Sequence, residues 1–151
     1  MDREIIFRSQ SVDDTLAIGE NFAREELHPG SLVVLRGELG AGKTQFTKGI
    51  ARWCGLDVDD VGSPTYSLVN EFDVRINGSS VKLFHLDCYR FEKPSELLEL
   101  GVEEYLYPKQ NMSVIEWPER IESFLPKGRI EVIFETLSPN ERKISIHIPS
   151  K

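Results

Sequence analysis

The eight residues Gly37-Glu38-Leu39-Gly40-Ala41-Gly42-Lys43-Thr44 complete the pattern G-x-x-x-x-G-K-[ST], whose chemistry is the grip of a nucleoside triphosphate. Such a loop wraps a phosphate with backbone N–H groups turned inward. It needs dihedral angles and approach distances that a Cβ would block, and Gly37, Gly40 and Gly42 supply that freedom. A helix starting where the loop ends aims its N–H groups and the positive end of its dipole at the same phosphates. Lys43 is placed to reach the β and γ oxygens, and the Thr44 hydroxyl to ligate Mg²⁺.

Two acids stand where a metal-holding carboxylate belongs. Asp87 follows the run Val81-Lys82-Leu83-Phe84-His85-Leu86, and Glu116 follows Met112-Ser113-Val114-Ile115, so each closes a strand-like segment. Either could hold Mg²⁺ directly or through water, and an acid at a strand end can equally cap a helix or face solvent. His85 and Cys88 are only two soft ligands, three apart and without a second pair. They read as a histidine packing beside the site and a filler thiol.

The elements that must position these groups follow from periodicity. Ile5-Ile6-Phe7 is a short strand. Ser11 is an N-cap with Asp14 closing a variant capping box, and the helix runs to about residue 27 before Pro29-Gly30. Leu32-Val33-Val34-Leu35 is the buried strand feeding the glycine loop, and residues 43–54 are an amphipathic helix. Strands over 68–74 and 81–86 flank Asn77-Gly78, a hairpin turn whose two residues both need positive φ. Residues 95–106 read as helical with a break near Gly101, 112–115 as a strand, 118–124 as a short helix, and 129–134 with 143–148 as a terminal strand pair. This order predicts an α/β, three-layer nucleotide-binding fold of the phosphate-loop class with a mixed central sheet, its ligands at the carboxyl ends of the parallel strands.

The 151 residues, 40% of them apolar, can bury one sizeable core, and the chain is expected to be a single domain over 1–151. Eighteen basic against twenty-five acidic side chains give a net charge of −7, which argues against broad nucleic-acid or anionic-membrane binding by this chain alone. No apolar stretch approaches the ~18 residues of a membrane span, and the N-terminus lacks a secretory pattern, so a cytoplasmic place is expected. Cys54 and Cys88 are expected to be reduced.

The loop at 37–44, Ser63-Pro64-Thr65-Tyr66, His85-Leu86-Asp87-Cys88-Tyr89-Arg90 and Ile115-Glu116-Trp117 come in one order and spacing. In this the chain resembles the TsaE family, small bacterial ATPases of tRNA threonylcarbamoyladenosine synthesis, over nearly its whole length. The resemblance implies that Leu39, Gly40, Ala41, Gly42, Lys43 and Thr44 bind ATP, that Thr44 and Glu116 ligate Mg²⁺, and that Asp87 acts nearby, on a water. It implies a catalytic set of Lys43, Asp87 and Glu116. Ser63, Thr65 and Tyr66 would occupy the place of a switch segment that senses the γ-phosphate or the metal. It further implies TsaB and TsaD as protein partners, with tRNA reached only indirectly through that complex and no contact with DNA or membrane. Trp117 is left between lying against the nucleotide and covering the core, and Arg90 and Arg120 are candidate charge stabilisers.

Two other readings use the same loop. A small-molecule kinase needs a substrate cleft and usually a lid, and the chain offers no long arginine-bearing insertion after its central helices. A GTP-dependent switch would usually carry an Asn-Lys-x-Asp motif, whereas the nearest string is Asn70-Glu71-Phe72-Asp73 on a strand.

Overall fold

The computed structural model describes residues 2–62, 69–89, 94–99 and 101–150. Along the chain run β1 (Arg3–Ser9), α1 (Val12–Glu26), β2 (Leu32–Arg36), α2 (Lys43–Trp53), β3 (Val69–Ile76), β4 (Ser79–Asp87), α3 (Pro94–Glu99), α4 (Glu103–Leu106), β5 (Met112–Glu116), β6 (Ile130–Thr136) and β7 (Arg142–Ile148), with 3-10 turns at Val58–Asp60 and Pro118–Phe124. The strands form one mixed sheet in the order β1-β7-β6-β2-β5-β4-β3. Its middle is parallel, β6, β2, β5 and β4 pointing one way, and its flanks are antiparallel. The expected α/β class with a mixed sheet is the observed one.

Both faces of the sheet are covered, which is why β2 and β5 read as unbroken runs rather than alternating ones. One face packs Val33, Leu35, Leu83, Met112 and Val114 against Phe46 and Ile50 of α2 and Phe22 and Ala23 of α1. The other packs Val34, Phe84, Leu86 and Ile115 against Leu106 of α4, its N-cap Val102 and Ile121. Phe46 is fully buried, with its ring 5.5 Å from that of Phe22 and edge-on to Phe134 at 5.4 Å. Such pairs each add about 0.5–1.5 kcal/mol beyond area burial.

Helix α2 begins with Lys43 and Thr44, the last two residues of the glycine loop, and its seat is set by backbone contact with α1. A Cβ on Gly49 would lie 2.1 Å from the Leu16 carbonyl oxygen, and one on Gly19 would lie 2.3 Å from that of Phe46. Both glycines are there to let two helices touch.

Local chemistry explains most element ends. The hairpin turns at Asn77 (φ 50°) and Gly78 (φ 85°), as the dipeptide required. The break near Gly101 is real, since that residue sits at φ 70° between α3 and α4. The capping box at α1 is corrected. The Ser11 hydroxyl accepts from the Asp14 N–H at 3.0 Å as expected, but the Asp14 carboxylate reaches back to the Gln10 N–H, one residue earlier than the box requires. The short helix expected over 118–124 is present as a 3-10 helix, kinked where Ile121 leaves helical geometry at φ −127°.

Replacing Gly49 by Ala is expected to cost at least about 1–3 kcal/mol, since backbone atoms cannot yield as a side chain would. Gly128→Ala, with nothing within 4 Å of the added methyl group, should stay within about 0.5 kcal/mol. Denaturant unfolding of the two variants checks this, and equal stabilities would mean α1 and α2 are not in backbone contact.

Candidate functional site

Strands β2, β4, β5 and β6 end on the same side of the sheet, and the glycine loop, Asp87 and Glu116 all stand there. Gly42 is the N-cap of α2 at φ 106°, a left-handed conformation with no capping side chain, so the helix end is left to whatever the loop holds. Leu39 and Gly40 form its exposed crest, whereas Ala41 and Lys43 are buried beneath.

Lys43 is only 5% exposed and its charge is already spoken for. The ammonium donates to the Gly37 carbonyl and, at 3.4 Å, to that of Glu38, and it lies 3.3 Å from the centroid of the Trp117 ring. Burial pulls its pKa below the ordinary lysine value, against the opposing pull of Glu116, Glu119 and Asp87. Trp117 meets it from a left-handed backbone conformation, φ 58° and ψ 55°, immediately before Pro118. A bulky residue pays about 1–3 kcal/mol for that geometry. The ring also packs on Tyr89, with centroids 4.8 Å apart. Trp117 thus touches the loop lysine and packs against the second core.

Glu116 is 2% exposed at the end of a strand whose five residues are all buried. One carboxylate oxygen, Oε1, accepts from the Thr44 hydroxyl at 3.2 Å, and the other, Oε2, lies 2.5 Å from His85 Nε2. Asp87 pairs with Glu116 across the β4–β5 ladder and its Oδ1 accepts from the Tyr89 N–H at 3.0 Å. Its carboxyl is raised above the usual range, first by burial and further by the neighbouring Glu116, although the Tyr89 hydrogen bond, His85 and Lys43 oppose the rise. The two acids therefore differ in setting. Glu116 is enclosed and bonded to the loop threonine, and Asp87 is half-buried beside it.

Among the described residues, no three His, Cys, Asp or Glu side chains are grouped to hold a metal by themselves. A site of one hydroxyl and one carboxylate suits Mg²⁺, which usually takes one or two protein oxygens and completes its shell with phosphate and water. Thr44 and Glu116 fit that donor set. Cys88 lies buried with its thiol pushed up to about 12 by burial, and Cys54 likewise; both are free thiols.

Of the remaining candidates, Ser63, Thr65, Tyr66 and Arg90 lie outside the described residues. Arg120 is exposed on the 3-10 turn. Two contacts escaped the sequence. His85 reaches Glu116, and the signal was the two-residue alternation that puts His85, Asp87 and Glu116 on one face of neighbouring strands. Arg142, at the start of β7, donates to the Gly40 carbonyl at 3.2 Å and so ties the glycine loop to the terminal hairpin. No local pattern marks a contact between residues so far apart.

Residues 9–144 match the family model described as threonylcarbamoyl adenosine biosynthesis protein TsaE. The chain is 35% identical over 146 residues to the tRNA threonylcarbamoyladenosine biosynthesis protein TsaE of Bacillus subtilis, covering 95% of this chain and 85% of the relative. It is 38% identical to that of Rickettsia prowazekii, over 85% of this chain and 87% of the relative. With that of Treponema pallidum the identity is 35%, over 91% and 96%. A crystal structure of Bacillus subtilis YdiB superposes with a TM-score of 0.76 at 29% identity, covering 99% of this chain and 88% of the other.

The raised Asp87 carboxyl makes a claim about stability. A folded state that holds this proton more tightly than the unfolded chain loses stability as pH climbs through 3.8, its ordinary value, and on through the raised one. Asp87→Asn keeps an acceptor for Tyr89 without the charge. It is expected to unfold at a higher temperature than the parent at pH 7, with the gap closing as pH falls below about 4. A gap that is absent at pH 7, or that widens in acid, would show that Asp87 is not held in this setting.

Proposed function

The chain belongs to the TsaE family of tRNA threonylcarbamoyladenosine biosynthesis, and from that premise we propose that it is a slow, Mg²⁺-dependent ATPase whose turnover serves a complex with TsaB and TsaD. The observation that carries this reading is the 3.2 Å contact between Thr44, the last residue of the glycine loop, and the buried Glu116 carboxylate. It joins the phosphate cradle to an acid, so that Thr44 and Glu116 would hold a metal ion together.

In this reading the loop N–H groups and the end of α2 cradle the phosphates, and Lys43 leaves the Gly37 and Glu38 carbonyls to meet the β and γ oxygens. Thr44 and Glu116 would hold Mg²⁺, which when bound would offset charge on the transferring phosphoryl group. Asp87, half-buried next to Glu116, orients the attacking water. Ser63, Thr65 and Tyr66 act as the sensor of the γ-phosphate. The resting contacts of Lys43 favour slow unaided turnover, because nucleotide must displace two carbonyls and the Trp117 ring before the lysine can help. Ordering by the partners removes that cost and aligns the water. The acidic chain leaves tRNA to the partner proteins.

The test is phosphate release from ATP by the parent, Lys43→Ala and Glu116→Ala, each with and without TsaB and TsaD. The parent is expected to turn over slowly alone and at least about tenfold faster with partners. Lys43→Ala should bind ATP about tenfold or more weakly, since a charged hydrogen bond is worth about 1.5–3 kcal/mol. Glu116→Ala should lose Mg²⁺-dependent turnover. Equal parent rates with and without partners would leave an independent ATPase, and unchanged turnover in both variants would remove the nucleotide site itself.

A further inference from the structure

His85 lies on β4 in register with Val114, two residues before the pair Asp87 and Glu116, so its side chain stands diagonally beneath Glu116 on the same face. It is fully buried. Its Nε2 meets Glu116 Oε2 at 2.5 Å, while Glu116 Oε1 takes the Thr44 hydroxyl at 3.2 Å. The terminal torsion of a glutamate is broad, and one tether alone would leave the carboxylate plane free to turn. Two tethers on opposite oxygens fix it.

The other ring nitrogen, Nδ1, is buried with no hydrogen-bond partner among the described residues. Packing does not explain this, since an aliphatic residue would fill a place between Leu83 and Asp87 without stranding a polar atom. The contact at Nε2 does. The Glu116 carboxylate oxygen is an acceptor, so Nε2 carries an N–H aimed at it.

We propose that His85 is a positioning residue, which holds the Glu116 carboxylate in the plane that lets Glu116 and Thr44 present oxygens together to the Mg²⁺ of a bound nucleotide. This rests on the nucleotide and metal reading given above, and adds to it a residue whose effect passes entirely through Glu116. Lys43 and the loop hold the phosphates without it, so nucleotide binding in the absence of metal should not depend on His85.

The comparison of His85→Gln with His85→Asn tests the idea. Glutamine sets its amide nitrogen where Nε2 stands and can still donate to Glu116, whereas asparagine is one bond too short. Calorimetry would follow Mg²⁺ titrated into ATP-saturated protein, and ATP titrated in EDTA, after thermal unfolding has confirmed that each variant folds. The asparagine variant is expected to weaken Mg²⁺ binding about tenfold or more. The glutamine variant should stay within about threefold of the parent, and metal-free ATP binding should change by less than about twofold in both. In a Glu116→Ala background, His85→Asn should have no further effect on Mg²⁺. Equal losses in the two variants, no loss in either, or an undiminished effect without Glu116 would overturn the role of His85 alone. A parent protein that binds ATP with no dependence on Mg²⁺ would overturn the metal reading and this proposal with it.

Discussion

A carboxylate taken out of water costs several kcal/mol unless it is paired and hydrogen-bonded, and Glu116 is 2% exposed. The arrangement of the protein answers that constraint. The Thr44 hydroxyl sits on one of its oxygens, His85 on the other, and the Lys43 ammonium is close enough to feel its charge. Two come from the start of α2 and one from β4, and they meet Glu116 of β5 only if the sheet order is β2-β5-β4 with the three strands parallel. The acid is affordable because the fold brings its partners, and those partners are the groups a phosphate and its metal would use.

The same logic extends outward through α2. Lys43 and Thr44 begin this helix, and the helix keeps its place because Gly19 and Gly49 let its backbone lie against α1 while Phe46 fills the space below. A small change in that seat would move the lysine and the threonine together. Above the loop, Trp117 is held in a left-handed conformation next to Pro118, and its ring covers the lysine. Strain of this kind persists only where surrounding structure enforces it. Here it keeps the charge of the loop lysine covered.

Much of this was legible in the chain. The glycine loop, the buried strands on either side of Thr44 and Glu116, and the Asn77-Gly78 turn are local patterns whose chemistry is complete within a few residues. The TsaE resemblance, drawn from motifs, agrees with the family that the comparisons identify. What the chain could not show depends on register. Whether Asp87 or Glu116 lies against Thr44 turns on how far β5 extends past β2, where Leu35 pairs with Glu116. His85 read as mere packing because nothing within β4 says that its neighbour two residues up is paired with a second acid on β5. The capping bond of Asp14 missed its expected partner by one residue, a displacement set by how β1 runs into α1 rather than by the motif. Arg142 reaches Gly40 only because the terminal hairpin folds back on the loop.

The central claim is that one metal ion with its nucleotide sits between Thr44 and Glu116. Paramagnetic broadening tests it most directly, with Mn²⁺ in place of Mg²⁺ and ATP present, read as the loss of backbone amide signals in an NMR spectrum. The expected result is loss confined to the ends of the parallel strands and the start of α2, strongest at Thr44 and Glu116 and extending to Asp87 and His85, with β1 and the β3–β4 turn at Asn77 and Gly78 left sharp. Broadening centred elsewhere on the protein, or absent when ATP is bound, would contradict it.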